Sequence, residues 1–130
     1  VRPGTPNAAT TGCYSGVVRE PLHGVDCVLP VERHLVHAVS STRAVIRGLQ
    51  ALHDVEWPQG IADRCVNLPA VSVTLQEMVD SLHRVVASSD HHKLGKISDQ
   101  VDPSLNAIVA GMAARRVTFD RALRLGLPEP

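Results

Sequence analysis

The stretch VLPVERHLVHAVSSTRAVIRGLQALHDV, residues 28–55, decides the fold expected for this chain. Within it Val28, Val31, Leu35, Ala38, Thr42, Val45, Leu49 and Leu52 recur at steps of three and four. That period wraps an apolar seam along one side of a helix, and such a seam is stable only against another helix. Pro30 stands where a proline costs no hydrogen bond, and Glu32 falls in the favourable first turn. Trp57-Pro58-Gln59-Gly60 supplies the stop, because proline cannot donate and restricts its predecessor. A first helix is therefore expected over about 31–55, weakened at Gly48 by about 1 kcal/mol relative to alanine.

Two further blocks repeat the pattern. Thr74-Leu75-Gln76-Glu77 is a capping-box sequence, with Val73 and Met78 placed for the accompanying staple, and predicts a helix within 70–88. Asp102-Pro103 pairs an N-cap acid with a first-turn proline and predicts a helix over 103–125, closed by Gly126 and Pro128. Arg121 and Arg124 then oppose the negative end of that helix. Residues 1–30 are punctuated by proline and glycine too often for a helix to grow and read as an extended arm. The expectation is an all-α fold: an up-down bundle of three long helices over 31–130, with the arm or residues 91–101 as a fourth side. Leu35, Leu49, Leu52, Leu82, Val85, Met112 and Phe119 should share its core.

Composition narrows the function classes. A hydrophobic fraction of 44% and a charged fraction of 20% are globular values, so wholesale disorder is excluded. Thirteen basic residues balance thirteen acidic ones, so no net field gathers phosphate and nucleic acid is disfavoured as a partner. Tyr14, Trp57 and Phe119 are too few and scattered for a base-stacking platform. Eleven of the basic residues are Arg, the type favoured where charge is held in contacts. No segment has the length of a membrane span. The chain starts at Val1 without an initiator Met or signal-peptide pattern, which reads as a processed form or a fragment. Cys13, Cys27 and Cys65 are an odd set with no C-x-x-C pair; three reduced thiols in a reducing intracellular compartment are expected, with a Cys13–Cys27 bridge as the alternative.

Histidine is the enriched catalytic type. His34 and His37 lie three apart, as do Asp80 and His83, so each pair would share a helix face. A carboxylate-rich bundle site needs Glu-x-x-His on two helices, and this chain has none and only five Glu. Cys13, His23 and Cys27 have zinc-compatible types at spacings that match no standard finger. Gly95-Lys96 lacks the remainder of a phosphate loop. No metal, cofactor or catalytic residue is therefore assigned.

The residues point to a non-enzymatic helical protein–protein interaction module, a structural or accessory subunit of a larger assembly. Its expected partners are other protein subunits or a second copy, with Val79, Val86, Ala107, Ala110, Gly111 and Ala114 as the interface. Val79 and Val86 widen the apolar face of the second helix, and the small residues of the third admit a closely packed helix. The alternatives are a small histidine-dependent metal or cofactor binder and a redox- or pH-sensing regulatory module.

Overall fold

A computed structural model describes residues 9–58, 63, 65–113 and 117–129. The chain runs α1 (Cys13–Leu22), β1 (Cys27–Leu29), β2 (Val36–Val39), α2 (Thr42–Asp54), β3 (Val71–Thr74) and α3 (Leu75–Val85). A 3-10 turn (Ser88–Lys93), β4 (Ile97–Asp99), α4 (Pro103–Met112) and α5 (Asp120–Arg124) complete it. This is a mixed α/β fold with parallel strands, and it replaces the all-α up-down bundle that the apolar periodicity predicts.

The seam fails at Ser40-Ser41. Ser41 is extended, with φ −70 and ψ 150, and its hydroxyl accepts the Ala44 N–H at 3.1 Å. A helix starts at that cap and cannot extend backward through it, so the residues before it pair as β2. Within the supposed arm, Cys13–Leu22 is helical although Pro21 lies in its last turn. The long third helix is also divided: Asp102 caps α4 by accepting the Ser104 and Leu105 N–H groups, as its sequence predicts. That helix stops at Met112, and a separate α5 begins at Asp120.

The chain forms two compact units, one of residues 1–37 and 73–113 and the other of 38–72 and 114–130. In the first, β1 and β4 pair in parallel with Cys27 opposite Ile97, Val28 opposite Ser98 and Leu29 opposite Asp99. Strand alternation sends Cys27 and Leu29 inward and leaves Val28 exposed. Tyr14 and Val17 from α1, Leu75 and Val79 from α3, and Val109 from α4 close over them with Val31. The expected core is largely elsewhere: Leu82 is buried, but Leu49, Val85 and Met112 are 56%, 85% and 54% exposed.

Arg33 ties the turn after β1 to two elements of this unit. Its Nε donates to Asp99 Oδ1 at 2.7 Å, its Nη1 to Gln76 Oε1 at 3.3 Å, and its carbonyl accepts the Gln76 N–H. The capping box forms as predicted. Glu77 N–H donates to Thr74 Oγ1 at 3.1 Å, and Thr74 N–H donates to Glu77 Oε2 at 2.7 Å.

Thr74→Ala is expected to cost about 1 kcal/mol, read from urea unfolding at neutral pH. The Thr74 backbone N–H, followed by its hydroxyl, holds the Glu77 carboxyl below the usual carboxylate range. A depressed folded value means this contribution is complete above that range and is lost as pH falls through the depressed value. Glu77→Gln should accordingly flatten the acid limb of the stability–pH curve, and an unchanged limb would contradict the assignment.

In the second unit Gly48 is buried on α2, and a Cβ there would stand 2.9 Å from Leu68 Cδ2. The glycine that weakens the helix thus admits a neighbouring side chain. Ser40 Oγ donates to the Pro69 carbonyl at 2.9 Å. Ala122 and Leu127 are buried, and Gly126, at φ 76, makes the turn after α5. Strands β2 and β3 pair with each other. Among the described residues no helix is long and apolar enough to cross a membrane.

Candidate functional site

Each unit carries a hollow of several hundred Å³ lined by described residues. The hollow of the first unit, about 350 Å³, lies between the start of α1 and β1 and is lined by Cys13, Gly16, Arg19, Glu20, Asp26 and Cys27 among others. Arg19 and Glu20 form a direct ion pair with only 16% and 12% of their side chains exposed. Glu20 Oε2 is buried and accepts nothing among the described residues. Gly16 makes room for it, since a Cβ there would stand 3.0 Å from that oxygen.

Both cysteines on this wall are free thiols. Burial is the main cause that pushes the Cys13 thiol up, against backbone hydrogen bonds that pull it down. Burial, then the charges of Glu20 and Cys13, push Cys27 up, and Arg19 opposes them. Neither is poised as a thiolate nucleophile near neutral pH. Beside the hollow's helix, Tyr14 stacks on His37 with ring centroids 4.5 Å apart and planes inclined by 22°. Tyr14 Oη and His37 Nδ1 are buried without a partner among the described residues.

The hollow of the second unit, about 390 Å³, is lined by Asp63, Cys65, Asn67, Thr118, Phe119, Asp120, Arg121 and Arg124. Arg121 Nη1 donates to Asp63 Oδ1 at 2.6 Å and to the Cys65 carbonyl at 2.8 Å. The Arg121 hydrogen bond, then the Cys65 backbone N–H, hold the Asp63 carboxyl below its usual range. Asp63 in return raises Arg121, so the pair stays ionised at neutral pH. Asn67 Nδ2 donates to the Thr118 carbonyl at 3.2 Å.

The histidine and cysteine sets singled out in the sequence are mostly dispersed. His34 lies before β2 with its ring exposed near Glu32, whereas His37 is on β2 against Tyr14, so no helix face joins them. Asp80 accepts from Gln76 Nε2, while the His83 ring meets the edge of His91. His91 Nε2 donates to the His83 and Val86 carbonyls. Cys13 and Cys27 share a hollow, but His23 donates through Nδ1 to the Arg19 carbonyl. No three His, Cys, Asp or Glu among the described residues are grouped to hold a metal ion.

Of the expected interface residues, Val79 is 5% exposed and belongs to the core, and Val86 is half-buried at the end of α3. Ala107, Ala110 and Gly111 are exposed on α4; Ala114 lies outside the described residues. The residues that sequence reasoning missed are Asp63, Arg121 and the Arg19–Glu20 pair. Their one signal was the excess of Arg over Lys, which marks charge held in contacts without saying which Arg.

No protein-family model matches the chain. It is 35% identical over 128 residues to a D-erythronate dehydrogenase of Haemophilus influenzae, an alignment covering 97% of this chain and 39% of that protein. It is 38% identical over 89 residues to a D-erythronate dehydrogenase of Cupriavidus necator, covering 68% of this chain and 28% of that one. Among solved structures it is similar to a nucleoside-diphosphate-sugar epimerase of Agrobacterium tumefaciens, with a TM-score of 0.83 and 28% identity over 99% of this chain. The chain spans 36% of that structure and about two fifths or less of either dehydrogenase. A likeness to enzymes along nearly its whole length overturns the reading as a non-enzymatic interaction module or accessory subunit. It equally overturns the metal-binding and sensing alternatives and the expectation that the chain is no part of an enzyme.

Proposed function

We propose that this chain is part of a dehydrogenase acting on a short polyhydroxy acid of the D-erythronate type. The observation that carries the reading is the end-to-end likeness of 128 aligned residues at 35% identity, supported by a fold match at TM-score 0.83. The epimerase-like structure supports the same class, since oxidation of a carbinol carbon is chemistry available to both names.

A dehydrogenase passes a hydride to an acceptor, commonly a nicotinamide dinucleotide. The residues of this chain do not fit the pyrophosphate of such a cofactor. The recurrent cradle is Gly-x-Gly-x-x-Gly between a strand and a helix, and no two glycines of this sequence are separated by a single residue. Among the described residues the short strand-to-helix crossings, β2 to α2 through Ser40-Ser41, β3 directly into α3, and β4 to α4 through Gln100-Val101-Asp102, contain no glycine. In this reading the 130 residues contribute to the substrate side, and no step is assigned through the acceptor.

The test is reduction of a nicotinamide dinucleotide, followed at its near-ultraviolet absorbance, by the whole protein containing this chain. D-erythronate is expected to support turnover, and a nucleoside-diphosphate sugar is not. Turnover or epimerisation of the sugar nucleotide with no response to D-erythronate would replace the dehydrogenase reading with the epimerase one.

A further inference from the structure

Among the described residues, Asp63, Asp120, Arg121 and Arg124 bring charge to the hollow of the second unit, and of these Asp63 and Arg121 are spent on each other. Arg121 is neutralised by Asp63 and held by the Cys65 carbonyl. Arg124 lines the same hollow, and its guanidinium makes no ion pair or hydrogen bond among the described residues. Asp120 lines it too, with its carboxylate likewise unpaired among them. Asn67 has committed its amide N–H to the Thr118 carbonyl, which leaves its oxygen to accept.

An exposed arginine by itself is ordinary surface. This one completes a wall that is already fixed, because hydrogen bonds spanning 51 to 58 residues of sequence tie Asp63, Cys65, Asn67, Thr118 and Arg121 together. A ligand entering a fixed wall loses less of its binding to ordering the protein. The polar groups also divide by kind. Arg124, a cation without a contact partner among the described residues, suits an anion, and a guanidinium takes a carboxylate through two parallel bonds. Asn67 Oδ1, the Thr118 hydroxyl and the Asp120 carboxylate accept hydrogen bonds, which suits hydroxyl groups on neighbouring carbons. Phe119 provides the apolar part of the wall.

We propose that the hollow bounded by Asp63, Asn67, Thr118, Asp120, Arg121 and Arg124 binds a short polyhydroxy carboxylate. Arg124 takes the carboxylate, and Asn67, Thr118 and Asp120 face the hydroxyls. The choice of ligand class rests on the dehydrogenase reading above; the site itself rests on the charge and geometry of the hollow. The Asp63–Arg121 pair acts as a brace, so its contribution is rigidity and not ligand charge.

The experiment is calorimetric titration of the whole protein, without any hydride acceptor, using D-erythronate and erythritol as probes. Erythritol has the same carbon skeleton and no carboxylate. D-erythronate should bind saturably and erythritol should not. R124Q should weaken D-erythronate binding by roughly 10- to 100-fold, the usual worth of a charge-assisted hydrogen bond. R124K should fall between, since lysine keeps the charge and loses the fork. R84Q, an equal charge change on α3 in the other unit, should bind as the parent does. Thermal melting of each variant confirms that folding is intact. Parent-like binding by R124Q, equal binding of erythritol, or no binding of D-erythronate by the parent would each overturn the site. Oxidation of D-erythronate with KM and affinity unmoved in R124Q would remove the site and leave the dehydrogenase reading. Arg124-dependent binding without oxidation would remove that reading and leave the site.

Discussion

Gly95→Ala is expected to destabilise the first unit by about 3 kcal/mol or more, at or beyond the upper end of ordinary overpacking. A Cβ at this position would stand 1.9 Å from the Val25 carbonyl oxygen and 2.3 Å from its carbon. Both are backbone atoms, so no rotamer change relieves the overlap. The approach is close because the two segments are bonded there. Gly95 N–H donates to the Pro21 carbonyl at 3.0 Å, and Cys27 N–H donates to the Lys96 carbonyl at 2.8 Å. Separating the segments to admit a methyl group would break the start of the β1–β4 ladder. Gly111→Ala provides the control: nothing lies within 4 Å of a Cβ there, and alanine favours the helix by up to about 1 kcal/mol. Urea midpoints of the whole protein check both, and a Gly95→Ala midpoint equal to the parent's would refute the close approach.

Leu75→Ala is the second large effect, with an expected cost of ~2–5 kcal/mol. Leu75 is fully buried at the first turn of α3, in the cluster that includes Leu29, Val31, Val79 and Val109. Truncation there removes buried methyl groups and leaves a cavity that helices and strands anchored on several sides cannot collapse to fill. Leu49→Ala, by contrast, removes a side chain that is 56% exposed and should have a small effect. A continuous helical seam over 28–55 demands a large loss at Leu49. The contrast between the two midpoints therefore separates the α/β core from the helical one.

The parts of the fold legible in the sequence were those written in local chemistry. The Thr74–Glu77 box, the Asp102-Pro103 start and the Gly126 turn each form within a few residues, so spacing alone reveals them. The strands were not legible in this way. Cys27–Leu29 and Ile97–Asp99 have three residues each, too few to show a period of two, and their partner lies far along the chain. Val36–Val39 falls within the helical seam because Leu35 beside it, Ala38 within it and Thr42 after it also fit steps of three and four. The serines at 40 and 41 were the available warning, since a serine pair favours a cap over a helix interior. Function was less legible still. The arginine and carboxylate paired in the second hollow, Arg121 and Asp63, come from segments 58 residues apart, and only folding brings them together.

The parallel pairing of β1 with β4 also sets an order of events in the life of the chain. The Lys96 N–H reaches the Asp26 carboxylate across 70 residues, and residues 38–72, which lie between them in sequence, belong to the other unit. A nascent chain emerges N-terminus first, so Cys27–Leu29 is made long before Ile97–Asp99 exists to pair with it. Through that interval α1 and β1 lack their strand partner and the cover of α4, and until residues 75–85 are made they lack the cover of α3 as well. Closing so long a loop is a slow entropic step, and a core made of non-local contacts forms late. A stalled or truncated chain ending before residue 75 would lack the Leu75, Val79 and Val109 that close over Leu29 and Val17, which makes it a substrate for chaperones and proteases in place of a partly working protein.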